Sequence, residues 1–216
     1  MSDSSNKARR PLRVAVTGGA GSGKSIVCKR FQTLGAFVAD LDRLSRQAVE
    51  PGTGGFQQVI ERFGCGVLAE DGGLDRRRLR DIITADEKAR KDLEAIVHPE
   101  VLRRMNDAMD RAEASGSRLL IAEVPLLFEA GLEKIFDRVI VVCAPEETRV
   151  QRLVERDNVA PEQAAALIRV QMPESEKRKR ADFVIENSGR PGDIIGDVDR
   201  LFDRLAAKAE KDGESA

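Results

Sequence analysis

Gly18-Gly19-Ala20-Gly21-Ser22-Gly23-Lys24-Ser25 constrains this chain more than any other segment. It satisfies G-x-x-x-x-G-K-[ST] in full, and both flanks agree: the apolar run Arg13 to Thr17 leads in and a helix-forming stretch leads out. Glycines permit the positive φ angles that turn successive main-chain N–H groups toward one anion, and the helix behind them adds a positive field. In such a loop Lys24 reaches the β- and γ-phosphates of a nucleoside triphosphate, and Ser25 presents its hydroxyl to Mg²⁺. A glycine-rich turn that binds nothing is the alternative, and it leaves the full match and both flanks unexplained. The motif marks nucleotide binding without separating a kinase from a GTPase or a motor.

Strand-like and helix-like segments alternate around this loop. Strands are expected at Arg13 to Thr17, Ala36 to Ala39, Arg118 to Val124, Arg138 to Cys143 and Asp182 to Glu186. The third and fourth are continuous apolar runs, as in strands covered on both faces of a parallel sheet. Helices are expected over Lys24 to Leu34, closed by Gly35, and from about Leu44, Phe56 to Phe63 and Asp75 to Ile83. Pro99 suits the first turn of a further helix running to Ala114, with Val101, Met105, Met109 and Ala112 on one face. Helices over Glu146 to Arg156, Pro161 to Val170, a short one after Pro173 and Ile194 to Ala209 complete the pattern. Such alternation predicts an α/β parallel sheet with ligands beyond the carboxyl ends of its strands. Gly18, Asp40, Pro125 and Cys143 all fall at such ends.

Charge and composition remove other classes of partner. Basic and acidic side chains number 36 and 37, so the net charge of -1 calls for neither nucleic acid nor an anionic membrane. Base-stacking platforms for single strands are not expected where Trp and Tyr are absent. No window approaches the roughly 18 apolar residues that span a bilayer. Met1 to Arg10 is polar and reads as a disordered lead-in rather than a secretory signal, and Lys208 to Ala216 reads as a flexible tail. Cys28, Cys65 and Cys143 fit neither a zinc spacing nor a closed disulfide set, which points to reduced thiols in a cytoplasmic enzyme.

Phosphoryl transfer to an alcohol needs a group that accepts the hydroxyl proton. Asp40 and Asp42 follow the second strand, and if the chain is still extended there they point to the same side. Either carboxylate can instead cap the next helix. Glu123, late in the third strand, either holds a magnesium-bound water or forms a strand-end salt bridge. Arg149, Arg152 and Arg156 recur at i, i+3 and i+7 on one helical face, and Arg169 and the run Lys177 to Arg180 follow. Such a face either closes over a triphosphate or is a solvated face laced with Glu146, Glu147, Glu155 and Asp157.

Read together, several strings resemble the dephospho-CoA kinase family. They are Val16 to Ser25, Val38-Ala-Asp-Leu-Asp42, Arg46-Gln-Ala-Val-Glu-Pro-Gly52, Leu74-Asp-Arg-Arg-Arg-Leu79, His98-Pro99 and Pro125-Leu-Leu-Phe-Glu129. Arg156-Asp157, Arg169-Val-Gln-Met-Pro173 and Ala181-Asp-Phe-Val-Ile-Glu-Asn187 close the series, which covers about Arg13 to Leu205. The resemblance implies a P-loop fold of nucleoside-monophosphate-kinase type, with a five-stranded parallel core and helical substrate-binding and lid insertions. On that pattern the core is about 12–42, 118–146 and 181–207. The helical CoA-binding insertion is about 43–117 and the lid about 147–180, between a lead of 1–11 and a tail of 208–216.

The implied activity transfers the γ-phosphate of ATP, with Mg²⁺, to the 3′-hydroxyl of the ribose of dephospho-CoA. The implied assembly is a monomer or small homo-oligomer. Carried across, Asp40 is the base, with Lys24 and Arg156 also catalytic. Gly19, Ala20, Gly21, Ser22, Gly23, Lys24, Ser25, Ile26, Arg152 and Asn187 hold the nucleotide, and Ser25 meets the metal. Leu79, His98, Leu126, Leu127, Phe128 and Glu129 join Asp40 in the acceptor cleft, although His98 equally well begins the helix at Pro99. Three positions depart from the usual pattern: Ile26 stands where Thr is common, Leu41 where Ala is common and Val170 where Ile is common. None removes a group the chemistry needs. Two competing readings keep the loop: a kinase for a nucleoside, nucleotide or sugar acid, and a nucleotide-dependent switch. The chain has no Asn-Lys-x-Asp guanine-reading string to favour the switch.

Overall fold

A strand that is apolar at every position needs cover on both faces, and the computed structural model gives the central strands that cover. It describes residues 10–190 and 192–212, with the side chains of 41–43, 45, 84, 211 and 212 left out. The expected lead-in lies outside the described residues through residue 9, and the tail from 213. Five strands, β1 (Leu12–Gly18), β2 (Phe37–Asp40), β3 (Leu119–Glu123), β4 (Arg138–Cys143) and β5 (Phe183–Glu186), form one parallel sheet in the order β2-β3-β1-β4-β5. This is the five-stranded P-loop core that the resemblance implies.

The loop-bearing strand β1 sits between β3 and β4, so both its edges are hydrogen-bonded and its carboxyl end is fixed. Helix α1 (Lys24–Thr33) lays Val27, Cys28 and Phe31 on Val14, Val16, Ile121 and Ile140, and Val198, Leu201 and Leu205 of the last helix join the same cluster. Full burial of Phe31 contributes about 2–3 kcal/mol. Gly35, at φ 97°, ends α1 as expected. The Ala36 N–H reaches the Phe31 carbonyl at 3.0 Å and the Gly35 N–H reaches that of Gln32 at 3.0 Å, the paired bonds of a Schellman turn.

Contacts divide the chain into two compact units: the chain through Asp40 together with Met109 onward, and Leu41–Ala108. The second unit is helical. It contains α2 (Leu41–Ala48), α3 (Gly54–Phe63), α4 (Arg76–Ala85) and most of α5 (Glu87–Ala114). Its own apolar cluster gathers Ala48, Val49, Val59, Val67 and Leu79. The first unit continues with α6 (Glu146–Asp157), α7 (Pro161–Arg169), α8 (Glu174–Lys179) and α9 (Ile195–Asp212).

Three expectations need correction. The expected tail does not begin at Lys208: α9 runs on through Asp212. The chain is not extended at Asp42: β2 ends at Asp40 and α2 begins at Leu41, so the two aspartates do not share a strand face. The Asp42 side chain lies outside the described residues. Helix α5 does not start at Pro99; it starts twelve residues earlier, at Glu87, with Pro99 and His98 in its interior. Asp86 caps it, its Oδ1 accepting from the Lys88 N–H at 2.8 Å. Beyond the proline, Glu100 pairs with Arg103 and Arg104 at 2.7 and 3.0 Å, one turn on. The expected inward face holds: Val101, Met105, Met109 and Ala112 are all buried.

An interior proline leaves the carbonyl one turn back without its helical donor, whereas a proline at the first position costs nothing. Pro99→Ala should therefore raise stability in chemical denaturation by about 1–2 kcal/mol. An unchanged midpoint would put the helix start back at Pro99.

Candidate active site

The phosphate loop is shaped by groups that pull its carbonyls outward. Lys24, buried in the first turn of α1, donates to the carbonyls of Gly18 and Gly19 at 3.1 Å each. Asn187, fully buried at the end of β5, donates its Nδ2 to the Ser22 carbonyl at 2.7 Å. Asn187 is itself held by its N–H on the Cys143 carbonyl at 2.7 Å, so the ends of β4 and β5 support the loop. Gly23 caps α1 in the left-handed region (φ 93°), and a Cβ there would collide with the Asn187 amide. A carbonyl turned outward leaves the amide of the same turn facing inward, where an anion would sit.

The loop fits a triphosphate on its own observations. The hydroxyls of Thr17 and Ser22 are buried without a hydrogen-bond partner among the described residues. Ala20 N–H is met by an uncharged acceptor, Gln171 Oε1, at 2.8 Å. Ser25 follows Lys24 in the first turn and is exposed, with its hydroxyl free of the core. Ile26, by contrast, packs against the core, so it reaches a nucleotide with its main chain at most. Among the described residues no group of three or more His, Cys, Asp or Glu could hold a metal ion.

Glu123 lies near enough to Lys24 to act on its charge, and Asp40 is the neighbour of Glu123 across the sheet. Asp40 and Glu123 are register partners across β2 and β3, and Glu123 is also the partner of Val16 on β1. Burial pushes the Lys24 pKa down to about 8; the negative charge of Glu123 opposes this, while Lys177 and Arg156 add to it. Burial likewise raises the Cys28 thiol far above its usual range, with Glu123 adding to the effect, so that cysteine is an inert part of the floor.

The three arginines on one face of α6 prove unequal. Arg149 is only 7% exposed, its guanidinium packed on Gly19 and directed at Glu174. Arg152 is half-buried and donates to the Gly21 carbonyl at 3.4 Å and the Asn187 carbonyl at 3.3 Å. Arg156 is exposed and forms a two-bond pair with Asp157 at 2.7 Å. The face is thus part scaffold and part solvent.

The segment after β3 divides in the same way. Leu126 is 48% exposed, whereas Leu127 is fully buried and Phe128 is buried under the Arg180 guanidinium, 4.6 Å from its ring centre. Glu129 turns inward to Lys177 at 2.8 Å and accepts from the Met172 N–H at 3.0 Å. Leu79 and His98 belong to the second unit, where Leu79 is in the apolar cluster and His98 is half-buried in α5. The structure therefore brings together the loop, Asp40, Glu123, Arg152, Arg156, Asn187 and Leu126 to Glu129 within one unit. Sequence reasoning passed over Gln171 and Lys177 as site residues and gave Arg149 no separate role. Gln171 lies inside the quoted string Arg169 to Pro173, and Lys177 is hidden in a basic run of four.

A family model for dephospho-CoA kinase matches residues 12–193, most of the chain. The chain belongs to the dephospho-CoA kinase family. A Bacillus licheniformis member of that name is 43% identical over 192 residues, 89% of this chain and 96% of that protein. The crystal structure of TT1252 from Thermus thermophilus is 36% identical with a TM-score of 0.77, over 93% of this chain and 98% of that one. A shikimate kinase from Acinetobacter baumannii, solved with shikimate, shares the fold alone: TM-score 0.51 at 18% identity, over 90% of this chain and 94% of that one.

A lysine whose pKa is about 8 in the free protein is partly uncharged above that pH, and a triphosphate beside it restores the proton. Calorimetry of ATP binding in buffers of different ionisation enthalpy should show proton uptake that grows between about pH 7 and pH 8.5. Lys24→Met should abolish that uptake; uptake that survives the substitution assigns the proton elsewhere.

Proposed function

We propose that Asp40 is the general base of this dephospho-CoA kinase and that the phosphate loop at Gly18–Ser25 holds its ATP. The enzyme converts ATP and dephospho-CoA to ADP and CoA, the last step of coenzyme A synthesis. The observation that carries the site reading is the register pair Asp40–Glu123 at the carboxyl ends of β2 and β3, with Glu123 in the field of Lys24. A base at that place takes the proton of the ribose 3′-hydroxyl as its oxygen bonds to the γ-phosphorus. The bond from that phosphorus to the β,γ-bridging oxygen breaks, and its electron pair leaves with ADP.

Around this step the chain positions and neutralises. Lys24 and the loop amides hold the β- and γ-phosphates, and Asn187 and Arg152 fix the loop's outer carbonyls. Arg156 exchanges Asp157 for phosphate oxygens, a trade that an exposed ion pair makes at little cost. Mg²⁺, met by the Ser25 hydroxyl, supplies charge neutralisation on the phosphates. Leu126 offers an exposed apolar surface to the acceptor, and Leu79 and His98 are its candidates in the second unit.

The reading takes dephospho-CoA as the partner of a monomer or small homo-oligomer, with no nucleic acid or membrane. Among the described residues no helix is long and apolar enough to cross a membrane. The reading sets the enzyme in the cytoplasm, where the free thiols of Cys28, Cys65 and Cys143 stay reduced.

Asp40→Asn should leave ATP affinity within about twofold and lower kcat by about 10² to 10⁴, the usual range for a lost general base. Measured with dephospho-CoA beside a panel of nucleosides and shikimate, ADP release should appear with dephospho-CoA alone. Normal turnover by the Asn variant would remove Asp40 from the base's role.

A further inference from the structure

Lys177 is the most deeply buried cation among the described residues, and the mechanism above leaves it without a task. Its neighbours in α8 behave as surface residues: the side chains of Arg178 and Lys179 are 38% and 70% exposed, and that of Lys177 is 1% exposed. An ammonium at that depth needs a partner, and Glu129 supplies one at 2.8 Å. Burial alone would raise the Glu129 carboxyl, but Lys177 and main-chain N–H groups, that of Met172 among them, hold it below its usual range.

The pair is not closed upon itself. An ammonium carries three N–H donors, and Lys177 Nζ, though 2.8 Å from a Glu129 oxygen, makes no well-aligned hydrogen bond among the described residues. The second Glu129 oxygen is buried without a hydrogen-bond partner among the described residues. Lys177 is also near enough to Lys24 to oppose its charge, as is Arg156. A lysine that only pinned α8 to the segment after β3 would be better placed away from a second buried lysine. Two ammonium groups in mutual repulsion become favourable once an anion lies between them.

We propose that Lys177 is a second lysine of the phosphoryl site, held by Glu129, whose remaining donors take oxygens of the transferring γ-phosphoryl group. Lys177 is then a catalytic residue and Glu129 a positioning one. Lys177 neither gains nor loses a proton in the step; it neutralises charge while the acceptor oxygen–phosphorus bond forms and the bridging bond breaks. The segment from Gln171 to Lys177 already meets the loop at the Ala20 amide, and through Lys177 it would meet the bound phosphate as well. The inference rests on the kinase reading, and its test keeps the two apart.

The full chain is compared with Lys177→Met, Glu129→Gln and the double variant. Three quantities are read: turnover, thermal midpoint, and binding of Mg²⁺·ADP with and without aluminium fluoride. Lys177→Met should lower kcat by about 100-fold with the KM for ATP within about threefold, as loss of a donor to the transition state does. It should also abolish the tightening of ADP binding by aluminium fluoride.

Removing one member of a buried pair is destabilising, and removing both is close to neutral. The double variant should therefore regain the thermal midpoint lost in Lys177→Met and stay as slow as that variant. A double variant that turns over like Glu129→Gln alone and keeps the aluminium fluoride effect reduces Lys177 to a structural partner and overturns the proposal. If the unmodified chain releases no ADP with dephospho-CoA, the acceptor reading fails. The Lys177 inference is then decided by the aluminium fluoride measurement alone.

Discussion

The site depends on one contact: the Asn187 side chain on the Ser22 carbonyl, across the left-handed turn at Gly23. A ring of inward-facing amides is not stable by itself, because like dipoles that converge repel one another. Something must hold the carbonyls out. Asn187 does so from the end of β5, and it is fixed in turn by the Cys143 carbonyl at the end of β4. The loop therefore inherits its geometry from strand register, and register is set by apolar packing in the sheet. A cavity under Ile140 or Ile185 would be felt at the phosphate loop before it was felt in the global fold.

Charge is arranged on the same principle of groups held ready. Lys24 rests on two carbonyls, Arg149 on Gly19 and Glu174, Arg152 on Gly21 and Asn187, Arg156 on Asp157, and Lys177 on Glu129. Each cation has a partner weak enough to give way to phosphate oxygens, or one that leaves donors over. Five positive side chains meet on this one side of the sheet, while the whole chain carries a net charge of only -1. Carboxylates stand among them at Asp40, Glu123, Glu129, Asp157 and Glu174, so total charge is a poor guide to a site built from paired charges. Exposure separates the five: Arg156 lies in solvent, whereas Lys24 has its pKa pushed down chiefly by its own burial, with Lys177 and Arg156 adding to the effect.

Much of this was legible in the sequence. Strands β1, β3 and β4 announce themselves because a strand covered on both faces is apolar at every position, and the phosphate loop is legible because few residue types tolerate its backbone. Helix α5 was not, because Pro99 is a strong local signal for a helix start and only tertiary packing overrides it; the Asp86 cap was the better sign. The paired reading of Asp40 and Asp42 failed for a related reason. A four-residue strand ends without any Gly or Pro to mark it, so the turn into α2 at Leu41 leaves no trace. Lys177 was hidden because four consecutive basic residues look alike on paper, and a six-residue helix buries one of them according to its rotation against Glu129.

Acceptor choice is separable from all of this. The fold is shared with a shikimate kinase at 18% identity, and a fold by itself does not fix a substrate. In this chain β2 ends at the candidate base, and the next residue opens the helical unit Leu41–Ala108. That unit buries its own cluster around Val59, Val67 and Leu79. Its internal stability is therefore not drawn from the core formed by β1, α1 and α9. The phosphate loop and the helical unit are thus held by different cores, joined on one side by the single peptide bond that follows Asp40.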